Sequence, residues 1–199
     1  MSTSVNPPVD APISIHTLFF KLIKALDLNN INLENKVCMD LGASTGGFTD
    51  VLIQRGAKKV YAVDVGTNQL HEKLKKNTKV LNLEKINARY ISEDLISELI
   101  ELLVCDVSFI SLKKVILPCL DFLKDKSIII ALIKPQFESK KNETKKGIVK
   151  DSQIHTRICE EIRTWFEDEC NCTVLSITES PIKGPKGNIE FLLTAMYQK

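Results

Sequence analysis

The sequence predicts an α/β fold: a mostly parallel, seven-stranded sheet with helices on both faces and one antiparallel strand. Two observations carry this. Short apolar runs rich in β-branched residues alternate with segments whose apolar positions recur at helical spacing, the pattern of strands linked by crossover helices. The last two strand-like runs follow each other without a helix between them, which makes a closing hairpin. At 199 residues, the chain has the size of one domain.

Residues 1 to 12 are polar with three prolines and read as a flexible arm, leaving 13 to 199 as the domain. From Ile15, the apolar positions Leu18, Phe19, Leu22, Ile23 and Leu26 form a helical stripe, with Lys21 and Lys24 off it. A strand near 36 to 41 leads through a glycine turn into a helix over 46 to 55, closed by Gly56, and a second strand follows near 59 to 63. Further strands are expected at 80 to 83, 102 to 107 and 127 to 134, with helices near 68 to 76, 111 to 123 and 152 to 168. The hairpin is formed by 173 to 178 and 189 to 196, joined by the turn 181 to 187. The lysine-rich stretch 139 to 147 reads as a mobile basic loop.

Net charge is +2 with 26% charged residues, so the chain is not globally polycationic and any nucleic-acid contact needs a local patch. Six scattered cysteines lack disulfide or zinc spacing, and no metal site is expected. The first residues have neither the basic start nor the apolar core of a signal peptide, and no apolar run reaches the roughly 20 residues a bilayer span needs. The expectation is a cytoplasmic protein with no membrane partner. His71-Glu72-Lys73-Leu74-Lys75 lacks the second histidine of a zinc protease. Pro118-Cys119 resembles a thiolate nucleophile dipeptide but falls in an apolar helix, where a buried thiol is inert.

The segment Asp40-Leu41-Gly42-Ala43-Ser44-Thr45-Gly46-Gly47-Phe48 carries the first chemistry. Glycines after a buried strand let a ligand approach the backbone, and free N–H groups at a helix start attract its negative end. Asp64 ends the second strand with Val65 beside it, where an acid accepts hydrogen bonds from ribose hydroxyls. The spacing lacks the second glycine of the dinucleotide fingerprint, and S-adenosylmethionine is the sharper fit. Asn87, Asp106 and Lys134 fall at the carboxyl ends of the next strands, in the crevice where ligands of such sheets gather. Asn87 suits either an adenine edge or a turn. Asp106 and Lys134 suit either a site or a structural ion pair, since neither is buried without a partner. Glu190, alone, reads as an edge-strand acid.

The runs from Asp40 to Asp50, Asp106-Val107-Ser108-Phe109-Ile110-Ser111, Lys134-Pro135-Gln136-Phe137-Glu138 and Gly184-Pro185-Lys186-Gly187-Asn188-Ile189-Glu190 together resemble the TlyA family. That family joins haemolysin-named proteins to ribosomal RNA 2′-O-methyltransferases and belongs with the FtsJ-like enzymes. The resemblance covers about residues 18 to 197. It implies a Rossmann-like class I methyltransferase fold, a cofactor site of Asp40, Gly42, Ala43, Ser44, Gly46, Gly47, Phe48, Asp64, Val65, Asn87 and Asp106, and a catalytic set of Lys21, Asp106, Lys134 and Glu190. It further implies methylation of a cytidine ribose. Before Lys21, the family's Ser-Arg-Gly-Gly is replaced by Ile15-His16-Thr17-Leu18-Phe19-Phe20. The family's small N-terminal RNA-binding domain is not in these residues, so a partner protein or an oligomer is expected in its place.

A ribose hydroxyl is a poor nucleophile, so methyl transfer needs proton removal and in-line placement. Lys134 is then the base or hydroxyl-positioning group and Asp106 its orienter, with Lys21 and Glu190 completing the network. Two lysines in one desolvated site favour a neutral amine, which the carboxylates oppose. Residues 134 to 150 hold six lysines and two glutamates. Lys140, Lys141, Lys145, Lys146, Lys183 and Lys186 are the expected contacts to the backbone of ribosomal RNA. Two other classes remain open: a non-catalytic protein that binds S-adenosylmethionine and RNA, and a haemolysin-type membrane-active protein.

Overall fold

The computed structural model describes residues 13–199, with side chains described from residue 18 onward; the expected arm at 1 to 12 lies outside the described residues. Helix α1 (Ile13–Leu28) precedes β1 (Val37–Leu41), α2 (Gly47–Gln54), β2 (Lys59–Asp64), α3 (Glu72–Lys75), β3 (Val80–Glu84) and β4 (Ile100–Cys105). Then come α4 (Lys113–Ile116), β5 (Leu123–Ile133), α5 (Pro135–Glu138), α6 (Ser152–Asp168), β6 (Cys172–Glu179) and β7 (Phe191–Tyr197).

The seven strands form one sheet in the order β3-β2-β1-β4-β5-β7-β6. The first five are parallel, and β7 runs antiparallel between β5 and β6. This is the Rossmann-like sheet that the alternation predicts. Successive strand residues point to opposite faces, and that period splits the interior in two. Met39, Leu41, Leu103, Cys105, Ile129 and Ile133 pack beneath Val115, Ile158, Ile162 and Phe166. Cys38, Leu102, Val104, Ile130 and Leu132 pack beneath Phe19, Leu22, Phe48 and Leu52. Asp40 of β1 apart, the central strands are therefore apolar on both faces, as a sheet covered by helices on both sides requires.

Three elements differ from expectation. The helix near 111 to 123 is one α-turn followed by a 3₁₀ segment, Leu117–Phe122. Pro118 has no N–H to donate, which breaks the α-pattern, and β5 starts early, where Leu123 aligns with Ile100. The helix at 68 to 76 shrinks to Glu72–Lys75 because Asn68 adopts φ 56° and the chain before it bends. The closing strand begins at Phe191 and not at Ile189, so Glu190 stands just ahead of it, its carbonyl accepting from the Ser180 N–H at 2.8 Å.

Among the described residues no helix is long and apolar enough to cross a membrane, and no cluster of side chains suits a metal. All six cysteines are buried and unpaired, and burial pushes the Cys38 and Cys119 thiols up to about 12, as inert thiols.

Candidate functional site

Strand β1 pairs with β2 on one side and β4 on the other, so chain order reverses beside it and a crevice opens at the strand carboxyl ends. Gly42, at φ 80°, follows β1 there. A Cβ at Gly42 would lie 2.8 Å from the Asp106 carbonyl oxygen, so the missing side chain lets the ends of β1 and β4 close on each other. At Gly46, φ 97°, a Cβ would collide with Leu74. Both glycines clear room for the protein's own packing, and Gly42 also borders the crevice.

The loop N–H groups are also largely used within the chain. Gly42 and Ala43 both donate to the Val63 carbonyl, at 2.9 and 3.1 Å. Ser44 donates to Asp64 Oδ2 at 2.8 Å, and Gly66 to Asp64 Oδ1 at 2.7 Å. Asp64 thereby fixes the loop that it faces, and each carboxylate oxygen keeps a further lone pair for a ligand hydroxyl.

A cavity of about 490 Å³ opens beside this loop. Gly42, Ser44, Asp64, Val65, Asn87 and Asp106 line it, with apolar walls from Ile86, Ala88, Val107 and Ile110. Its volume and its few polar groups suit a nucleoside-sized ligand. Asn87 also caps a 3₁₀ turn, accepting from the Arg89 N–H at 3.1 Å. Asp40, Ala43, Gly46, Gly47 and Phe48 stand behind the wall, not among its lining residues. Asp40 is buried, accepts from Thr49 Oγ1 at 2.6 Å and has no partner at Oδ1; burial pushes its carboxyl up to about 7.

A second cavity of about 430 Å³ joins the first. The two share Gly42, Ser44, Asp106 and Ser108. Leu18, Lys21, Lys134, Lys183, Gly184, Pro185 and Glu190 complete the second one. Two ion pairs shape its floor. Lys134, following β5, pairs with Asp106 and donates to Ser108 Oγ at 3.0 Å. Lys21 is only 3% exposed and pairs with Glu190 at 2.7 Å. The four residues assigned as catalytic from the resemblance therefore meet, as two lysine–carboxylate pairs. Lys21 lies off the apolar stripe of α1, yet Glu190 draws it inside.

Three neighbours carry signals that the sequence reading left unassigned, although each lies in a quoted motif. Gln136 donates to Glu190 Oε1 at 3.3 Å. Ser108 lies where the cavities join. Phe109, 90% exposed at φ 65°, sets its ring against Phe137 at 5.1 Å and lines the first cavity. A bulky residue in that backbone region is strained, and such strain clusters at working sites. Glu138 holds this loop, accepting from Ser111 Oγ at 2.6 Å and the Leu112 N–H at 2.8 Å.

The six lysines of the expected RNA face are all exposed. Their loop is tied down where free motion was expected: Arg157 pairs with Glu143 at 2.7 Å, and Lys145 bridges Ile148.

The chain is similar to known proteins over most of its length. The model of the FtsJ-like methyltransferase family matches residues 18–197. Hemolysin A of Brachyspira hyodysenteriae is 44% identical over 86% of this chain and 72% of that protein. The 16S/23S rRNA (cytidine-2′-O)-methyltransferase TlyA of Mycobacterium tuberculosis is 38% identical over 87% of this chain and 65% of that protein. A crystal structure of a Lactococcus lactis protein named as a hemolysin superposes with TM-score 0.84 at 40% identity, covering 89% of this chain and 85% of that one. The chain thus spans under two thirds of the Mycobacterium relative.

Proposed function

The chain belongs to the FtsJ-like methyltransferase family, and from that premise we propose that it methylates a ribose 2′-hydroxyl of ribosomal RNA, with cytidine as the nucleoside. S-adenosylmethionine is the methyl donor. The observation that carries the acceptor assignment is the shared wall: Gly42, Ser44, Asp106 and Ser108 border both the nucleoside-sized cavity and the lysine-lined cleft. The ribose oxygen and the ribosomal substrate are supported by the Mycobacterium relative, whose name states both.

When bound, S-adenosylmethionine supplies an electrophilic methyl group on a sulfonium. Asp64 and Asn87 offer acceptors to its nucleoside end, and the apolar walls suit a purine ring. Lys134 Nζ, steered by Asp106 and Ser108, is the group to position the acceptor hydroxyl and, when neutral, to take its proton. Lys21 and Glu190 pair in the same cleft, and Phe109 offers an exposed ring on which an unstacked base can rest. Lys140, Lys141, Lys145, Lys146 and Lys186 are exposed, Lys183 is exposed and lines the cleft, and together they suit a phosphate backbone.

The test is transfer of labelled methyl from S-adenosylmethionine into ribosomal subunits and their naked RNA, followed by nucleotide mapping. Incorporation at an alkali-resistant cytidine linkage is expected. Label on a base, or none with both substrates, would overturn the reading. Binding of S-adenosylmethionine without transfer would point to the non-catalytic class.

A further inference from the structure

The turn 183 to 188 borders the acceptor cleft, and one buried side chain joins it to the turn 144 to 149. Asn188 is 3% exposed. Its Nδ2 donates to the Gly147 and Pro185 carbonyls, each at 3.0 Å, and its Oδ1 accepts from the Val149 N–H at 3.3 Å. Its backbone carbonyl accepts from the Gly184 N–H at 2.8 Å. Lys186 Nζ adds a bond to the Lys146 carbonyl at 3.4 Å. Both turns hold non-glycine residues at positive φ, 54° at Lys146 and 58° at Lys186, a conformation that persists only where the surroundings impose it.

The tied pair of turns is basic and exposed at Lys145, Lys146, Lys183 and Lys186. It touches the cleft through the turn 183 to 188. A Cβ at Gly184 would collide with the Glu190 carboxylate, so the turn closes directly on the residue that holds Lys21. None of these tying residues lines the nucleoside-sized cavity.

We propose that Asn188 is a positioning residue that couples RNA engagement by the 144 to 149 turn to the geometry of the Lys21–Glu190 pair. This rests on the RNA methyltransferase reading. A phosphate held by Lys146 biases its turn, Asn188 passes that bias to Gly184, and Gly184 bears on Glu190. Coupling of this kind is reciprocal: a well-formed Lys21–Glu190 pair favours the RNA-binding arrangement of the turn.

The experiment is a double-mutant cycle with Asn188→Asp and Lys146→Ala, measured in the full chain with ribosomal substrate. Asn188→Asp keeps the size and the Oδ1 acceptor but turns an oxygen toward two carbonyls. The expected result is a kcat at saturating RNA reduced about 30-fold, with the S-adenosylmethionine Kd by calorimetry within twofold. Lys146→Ala should lower kcat about 5-fold alone and by almost nothing in the Asn188→Asp background. Additive losses, or an unchanged kcat in Asn188→Asp, would overturn the coupling. Should Asn188→Asp fail to fold, Lys146→Ala alone decides, since an unchanged kcat at saturating RNA leaves nothing to transmit. If the wild type transfers no methyl group, the function reading fails, and the coupling is read by hydrogen exchange. RNA should then protect the Ser180 amide, which donates to the Glu190 carbonyl at 2.8 Å, in the wild type and not in Lys146→Ala; equal protection in both overturns it.

Discussion

The nucleoside-sized cavity draws all its lining residues from positions 42 to 115, whereas the cleft beside it joins Lys21 to Glu190 across 169 positions of chain. The first is shaped by backbone: a left-handed glycine, a loop pinned to Asp64 and apolar strand ends. The second is shaped by charge, through two lysine–carboxylate pairs held out of water. A loop that one carboxylate can fix needs little from the rest of the fold. A buried ion pair needs both partners delivered by distant elements, because a single buried charge is costly.

Breaking one half should therefore spare the other. Lys134→Ala is expected to lower methyl transfer about 1,000-fold, the range of a lost acid–base group, with S-adenosylmethionine binding by calorimetry within a few-fold of wild type. Loss of that binding would show that the halves are not separable.

Asp40 tests the region behind the shared wall. Its folded value of about 7 lies above the ordinary 3.8, so its contribution is fullest below pH 4 and is lost as pH rises toward 7. Denaturant unfolding of Asp40→Asn and wild type from pH 4 to pH 8 should move in the variant's favour by at most about 4 kcal/mol. A constant difference would place the carboxyl in water.

Gly42 belongs to both halves. Gly42→Ala pushes a methyl group to 2.8 Å from the Asp106 carbonyl oxygen in a left-handed backbone, and should cost about 3 kcal/mol in stability. Donor binding and transfer should fall together. Asp64→Ala is the reverse cut: an S-adenosylmethionine Kd about 10-fold weaker, worth about 1.4 kcal/mol, with kcat at saturation nearly kept. The smallest effect belongs to the rim. Lys183→Ala should weaken RNA binding about 3-fold and reduce the slope of log affinity against log salt by about 1.

The same contrast explains what could be read from sequence. Strands such as Leu102-Leu103-Val104 and Ile128-Ile129-Ile130 are legible because a covered parallel strand must be apolar on both faces. Helix α6 is legible because Asp151 caps it, accepting from the Gln153 N–H at 2.8 Å, and its apolar stripe is continuous. Asp64 and Asn87 are legible because strand order alone puts them at the crevice. Lys21 could only be placed by resemblance, since burial of a lysine off the apolar stripe depends on an acid from the far end of the sheet. Ser108 and Gln136 lay in plain view within their motifs, but their roles arise from hydrogen bonds to Lys134 and Glu190 that spacing does not encode. Gly42 has a further duty that spacing does not encode: it clears the junction of β1 and β4 beside the cavity it lines.

Strand β7 enters the sheet between β5 and β6 although it follows both in the chain. During synthesis every residue lining the nucleoside-sized cavity is made before Glu190, the partner of Lys21. The lining of the first cavity and the Lys134–Asp106 pair are thus complete in the chain well before the carboxylate that Lys21 needs, and Lys21 is the charge that waits longest for its partner.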